Sequence, residues 1–267
     1  MIKYRFYPTI IEDSYKLLHW QDEAAKPWNR DRSPEHVYGE LRQSLLNHIN
    51  RIPFSTEAID KGTAFNAIID CIINNEPPSI KAPYTIHTDR ENGLIRVHFP
   101  ATDIAEERNF AFDKNWCIES AQYFKGALSQ VFVKAELETS YGTVELYGVI
   151  DELLDDVVYD IKATGSYRLG KYMNGWQRHL YPYCLVKSGL KENIRTFEYT
   201  AFRLQEISGR ISGIRCPERY RFNYEESASL LREQCEFLIE FIEENRDSIT
   251  DKKIFNEQIN QQSPSIR

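Results

Sequence analysis

Five residues between positions 151 and 181 have the types and spacing to do chemistry. Asp151 ends the apolar run Val149-Ile150, Asp160 and Lys162 flank Ile161 in the next apolar run, and Gln177 and Tyr181 stand four apart in a helical pattern. Side chains alternate faces along a strand, so Asp160 and Lys162 point the same way while Ile161 points into the core. Burying a carboxylate and an ammonium costs roughly several kcal/mol each unless they are paired or bound to a metal. Apolar residues would pack better if stability were the only aim. The pair is therefore either an ion pair closed on itself or part of a site. Gln177 and Tyr181, at i and i+4, share one helix face, an arrangement that is also ordinary helix surface.

The surrounding pattern supplies elements to position these groups. Gln130 to Thr139 alternates, Ser140-Tyr141-Gly142 supplies a turn, and Thr143 to Asp151 and Val157 to Ala163 read as the next two strands. A helix is predicted before them, from about Lys114 to Leu128, and another after them, from about Tyr167 to Ser188. Arg195 to Leu204 reads as a further strand. Helix, three strands, helix, strand is the grammar of an α/β sandwich.

Upstream, Thr9 could cap a short helix beginning near Ile10, and a polar loop follows from 21 to 35. Helices are predicted from His36 to about Ile52 and from about Thr56 to Asn74, the second ended by Pro77-Pro78. Gly62 inside that second helix costs about 1 kcal/mol against alanine, which predicts close approach of another backbone. Around Asn92-Gly93 the short alternating segments of 79 to 112 read as a small inserted β element. Short β segments are expected from Arg210 to Tyr224, and a long helix from about Glu225 to Asn245 turns Leu230, Leu231, Phe237, Leu238 and Phe241 inward. The whole is expected as one domain over 1–250: a helical part to 78, the β insertion 79–112, a catalytic core from 114, and then a mobile polar tail over 251–267.

With 267 residues, 42% of them hydrophobic, the chain can build a substantial core. It contains no apolar run of about 18 residues. Its start lacks the pattern of a signal peptide, so a cytoplasmic protein without a membrane partner is expected. Five scattered cysteines without a CxxC spacing suggest no disulfide framework, zinc ribbon or iron-sulphur cluster. A net charge of -7 argues against broad attraction to nucleic acid. Locally the balance reverses: Lys162, Arg168, Lys171, Arg178, Lys187, Lys191 and Arg195 are opposed only by Glu192. Such a stripe suits a phosphate backbone or a solvated helix face.

The order Gly148-Val149-Ile150-Asp151, then Asp160-Ile161-Lys162, then Gln177-Arg178-His179-Leu180-Tyr181 resembles the G-x-x-D, D/E-x-K and Q-x-x-x-Y motifs of the PD-(D/E)XK nuclease superfamily, in its RecB-like and phage-type exonuclease branch. Lys61-Gly62-Thr63-Ala64-Phe65-Asn66 resembles the branch's first helical motif, with Asn66 where histidine is usual. Phe6-Tyr7-Pro8-Thr9 resembles its N-terminal motif, so the likeness covers about residues 5 to 205.

The resemblance implies a restriction-endonuclease-like core, a mixed central sheet flanked by helices in αβββαβ order, and a metal-dependent deoxyribonuclease. Asp151, Asp160 and the carbonyl of Ile161 would hold Mg2+ or Mn2+, with Asn66 or Asp70 as a further ligand. Lys162 would orient the attacking water and stabilise negative charge, Gln177 would touch substrate or a metal-bound water, and Tyr181 would brace it. Lys171 and Arg178 are candidate DNA contacts, and Trp176 or Tyr183 could stack on a base or simply fill core. An exonuclease of recombination or repair, of phage descent and working beside an annealing protein or helicase, is the implied role. A site-specific endonuclease and an inactive DNA-binding protein of the same fold are the alternatives, the latter favoured by Asn66 and the acidic balance.

Overall fold

Alternating and helical periodicities interleave along the chain, and the computed structural model, which describes residues 2–256, sorts them into one sheet covered on both faces. In order the elements are β1 (Ile2–Phe6), α1 (Pro8–Leu18), α2 (Trp20–Ala24), α3 (Pro34–Ile49), α4 (Glu57–Asn74), β2 (Thr85–Asp89), β3 (Leu94–Phe99) and β4 (Arg108–Asp113). There follow α5 (Lys114–Gln122), β5 (Leu128–Thr139), β6 (Gly142–Leu154), β7 (Val157–Thr164), α6 (Gln177–Lys187), β8 (Thr196–Ile207), β9 (Arg210–Arg221) and α7 (Tyr224–Glu244).

The strands join in the order β1-β6-β7-β8-β9-β4-β3-β2, with β5 on the other edge of β6. Three pairings are parallel, β1 with β6, β7 with β8 and β4 with β9, so the sheet is mixed. Alternation then divides the core. Phe197 and Tyr199 of β8 join α1, α3, α6 and α7 on one face, whereas Phe202 and Leu204 join α4 and α5 on the other. Each fully buried phenylalanine contributes roughly 1.5–3 kcal/mol. Side-chain caps start the main helices: Ser33 accepts from the His36 N–H, Thr56 from Ile59 and Asn223 from Glu226.

Several expectations change. The N-terminus opens with a strand, because Tyr4 and Phe6 alternate inward, and α1 begins at Pro8, whose fixed φ and missing N–H suit a first helical turn. Helix α6 begins only at Gln177, because residues 168–175 are turns that pass through Gly170 at φ +78. Residues 210–221 form one strand, not short segments. They pair with β8 throughout, across a two-residue turn in which Ser208 and Gly209 both have positive φ.

The hairpin around Asn92-Gly93 is present, but it extends the main sheet through β4 rather than standing apart. Gly62 meets no close backbone: a Cβ there would lie 3.8 Å from the Ala163 Cβ, an ordinary contact. Residues 252–255 form a 3-10 turn that buries Ile254 and Phe255, so the chain past Asp251 is not a uniformly polar tail. Positions 257–267 of that expected tail lie outside the described residues.

Candidate active site

A fork in the sheet creates the site. Strand β6 is paired along its whole length with β5 on one edge. On the other edge its start pairs with β1, at 143–146, and only Glu152 to Leu154 pair with β7. Beyond Tyr159, β7 leaves β6 and follows β8 in parallel. The Ile161 N–H, turned toward this opening, donates to Asp151 Oδ2 at 2.7 Å. A carboxylate thus stands where the ladder lacks a main-chain acceptor.

Asp160, next to Ile161, is only 3% exposed. The Gln177 side-chain amide, at the first residue of α6, donates to Asp160 Oδ1 at 2.7 Å. The Lys162 ammonium lies 2.7 Å from Asp160 Oδ2 and 5.7 Å from the centre of the Tyr199 ring. Beyond that ion pair Oδ2 meets no hydrogen-bond donor, so a lone pair of the carboxylate remains to accept. Tyr181, one turn after Gln177, is buried against Gly148. A Cβ at position 148 would approach Tyr181 Cε1 to 2.5 Å, so the glycine of one motif is the seat of the tyrosine of the other. Asp151, Asp160, Ile161, Lys162, Gln177 and Tyr181 therefore form one assembly, built from two strands and a helix end.

The electrostatics are those of too much buried negative charge. Burial, and then the charge of Asp160, push the Asp151 carboxyl up to about 8, against the pull of the Ile161 N–H and of Lys162. Burial also raises Asp160, although Lys162 opposes it. For Lys162 burial favours the neutral amine, but Asp160 and Asp151 together outweigh it and keep the ammonium charged.

Two further acids extend the cluster toward α4. Glu152, fully buried, is pushed up to about 8, first by burial and then by Asp70, while a hydrogen bond from Ser129 at 2.9 Å opposes the shift. Asp70 is raised to about 6 by burial, with hydrogen bonding to Glu152 and Gln130 holding it back. Asn66 Oδ1 is buried beside them without a hydrogen-bond partner.

A divalent cation fits this donor set. Asp151, whose affinity for protons burial and the charge of Asp160 raise, would be relieved by it, and Asp160 Oδ2 has room to accept. Among the described residues no group of three His, Cys, Asp or Glu side chains forms a ready cage, so waters and the Ile161 carbonyl would complete the shell. Asn66 and Asp70 lie one turn apart on α4 and make no hydrogen bond to Asp151 or Asp160.

Beside Lys162 and Gln177 opens a cleft of about 980 Å3, whose walls include Lys16, Trp28, Arg168 and Lys171. Lys171 Nζ donates to Thr164 Oγ1 at 2.6 Å and to the Ser166 carbonyl at 2.8 Å. Arg178 is not in that wall; its guanidinium stacks on Tyr220, 4.8 Å from the ring centre. It stands one residue after Gln177 and lies against β9 rather than in the cleft. Trp176 and Tyr183 are core: Trp176 packs on Tyr15, and Tyr183 stacks on Tyr224 and donates to the Glu136 carbonyl. Three residues of the site escape a sequence reading: Glu152, whose burial no local pattern announces, and Glu12 and Trp28, which only tertiary folding brings to the cleft.

No family model matches the chain, and no curated protein matches it. Among solved structures, the protein SSO0001 aligns over 88% of this chain and 77% of its own, at 9% identity and a TM-score of 0.38. A candidate exonuclease from Eubacterium rectale aligns over 78% of this chain and 76% of its own, at 10% identity and a TM-score of 0.43.

Proposed function

We propose that this chain is a Mg2+- or Mn2+-dependent nuclease of the PD-(D/E)XK type that hydrolyses phosphodiester bonds in DNA, attacking from ends. The observation that carries the reading is the fork: Asp151 held by the Ile161 N–H beside an Asp160 that is shared by Lys162 and Gln177. Asp151, Asp160 and the Ile161 carbonyl would hold the metal. When bound, that ion neutralises charge on the scissile phosphate and lowers the pKa of a coordinated water.

The chain's own groups do the rest. Gln177 fixes the Asp160 carboxylate and so the direction of its free lone pairs. Lys162 remains an ammonium, which makes it a poor base and a good partner for the negative charge that grows on phosphate oxygens. It keeps 28% of its side chain exposed and lines the cleft, so it can reach a substrate without leaving Asp160. Tyr181 on Gly148 locks the first turns of α6, and with them Gln177.

A second reading, a DNA-binding protein that keeps the fold without hydrolysis, is favoured by the absence of a three-residue cage among the described residues. Degradation of linear single-stranded, linear duplex and closed circular DNA in Mg2+, Mn2+ or EDTA separates the two. Metal-dependent loss of linear DNA is expected, reduced about a hundredfold or more in Asp160→Ala and Lys162→Ala. Cutting of circles would move the assignment to an endonuclease. Inert wild type that binds DNA as its variants do would leave only the second reading.

A further inference from the structure

The cleft wall has a feature that phosphodiester chemistry alone does not require. Trp28 is 61% exposed, yet it is not on a loose loop. It sits in the 3-10 turn Pro27–Asn29, and the buried Asn29 anchors that turn by donating from Nδ2 to the Glu23 carbonyl at 2.8 Å and by accepting at Oδ1 from Arg32. Two cations lie over the ring, the Lys26 ammonium 5.4 Å and the Arg168 guanidinium 5.7 Å from its centre, at distances their side chains can vacate for a base. An exposed indole at the mouth of a cleft, with cations over it, is a platform rather than a piece of core.

The charges across the cleft are not equivalent. Lys16 is paired with Glu12 at 2.8 Å and Lys26 with Glu23 at 2.5 Å. Arg168 and Lys171, in contrast, have no carboxylate partner among the described residues, and the charge of Arg168 adds to burial in lowering the Lys171 pKa. Two uncompensated cations three residues apart, on turns beside Lys162, are placed for a phosphate.

We propose that this cleft admits a single-stranded nucleic-acid end, with a base stacked on Trp28 and a backbone phosphate held by Arg168 and Lys171. This rests on the nuclease reading for its orientation, since Lys162 and Gln177 form the inner end. Single strands are specified because a ring can lie on an indole only where it is unstacked from its neighbours; a paired base in an intact duplex offers no face. The backbone cations supply affinity for any sequence, and the platform supplies the preference for an unpaired strand.

The test is binding, which does not depend on turnover. Fluorescence anisotropy of a labelled poly-dT strand and of a hairpin-capped duplex is measured on the full chain in EDTA, with Trp28→Ala, Trp28→Phe and the double variant Arg168→Ala/Lys171→Ala. The single strand is expected to bind more tightly. Trp28→Ala should weaken it about tenfold, Trp28→Phe should restore most of the loss, and neither should alter binding to the capped duplex. The double variant should weaken single-strand binding and flatten its salt dependence. Equal affinity for both probes, or single-strand binding indifferent to Trp28→Ala, would overturn the proposal. If binding behaves as expected but no DNA is degraded with metal present, the cleft assignment stands and the nuclease reading falls; degradation with unaltered binding in Trp28→Ala does the reverse.

Discussion

At the scale of single residues the site is defined by carboxylates that the fold makes reluctant to ionise. Asp151, pushed up to about 8 by burial and by the charge of Asp160, holds its proton more tightly in the folded metal-free chain than in the unfolded chain, where it ionises near 4. A raised folded pKa contributes stability that is whole below about pH 4 and is lost as pH climbs through about 8. Glu152, also at about 8, adds the same sign. In EDTA the denaturation midpoint should therefore fall between about pH 4 and about pH 8, and Asp151→Asn should flatten part of that fall. His179, pushed down to about 4 by burial and by Arg178, loses stability as pH drops below 6.5, so the comparison with Asp151→Asn isolates the acid. Added Mg2+ should restore stability most at the alkaline end, where it no longer competes with protons. The same pH dependence in wild type and Asp151→Asn would contradict the description of Asp151.

The elements that hold these residues can be probed through two glycines with opposite expectations. Gly148 must stay small, because a methyl there would meet Tyr181 at 2.5 Å. Gly148→Ala should cost about 2 kcal/mol by overpacking and loosen Gln177, read as a lower thermal midpoint together with lost nuclease activity. In a Tyr181→Ala background the added cost of Gly148→Ala should largely vanish, a coupling that a double-mutant cycle measures. Gly62 is the converse: its helical backbone has ordinary φ and a Cβ would touch only Ala163, at 3.8 Å. Gly62→Ala should stabilise by roughly 0.5–1 kcal/mol through helix propensity and a less flexible unfolded chain, seen as a higher urea midpoint.

The same elements show what a sequence discloses. Helices α3 and α4 were legible because caps and periodic apolar residues agree locally, and β5 to β7 because alternation there is strong. Asp151, Asp160, Lys162, Gln177 and Tyr181 were legible as a set because they fall on consecutive elements. The start of α6 was not, since the turns of 168–175 are stabilised by contacts with Thr164 at the end of β7 and with Glu218, far along the chain. Nor was β1, whose five residues form a strand only because β6 offers a parallel edge.

At the scale of the molecule, that edge and the fork depend on how β1 meets α7 and the turn at 252–255. Among the described residues strand β1 pairs with β6 alone, and it borders the opening in which Asp151 lies. What fixes it from outside the sheet is C-terminal: Tyr4 donates to Glu243 at 2.6 Å from α7, and its ring lies 6.2 Å from that of Phe255. Phe255 is 6% exposed and is capped by the Arg246 guanidinium at 4.2 Å, so it works as a plug between β1 and the end of α7. Phe255→Ala should remove about 3 kcal/mol, measured as a lower urea midpoint with an unchanged slope. The loss should appear in unfolding and not in chemistry, because Phe255 touches none of the carboxylates. At a temperature where the variant is folded, metal-dependent cleavage should match wild type, and faster amide exchange should be confined to β1 and its neighbours. A large activity loss in fully folded Phe255→Ala would mean instead that β1 sets the width of the fork directly, linking the C-terminal end of the described chain to the position of Asp151.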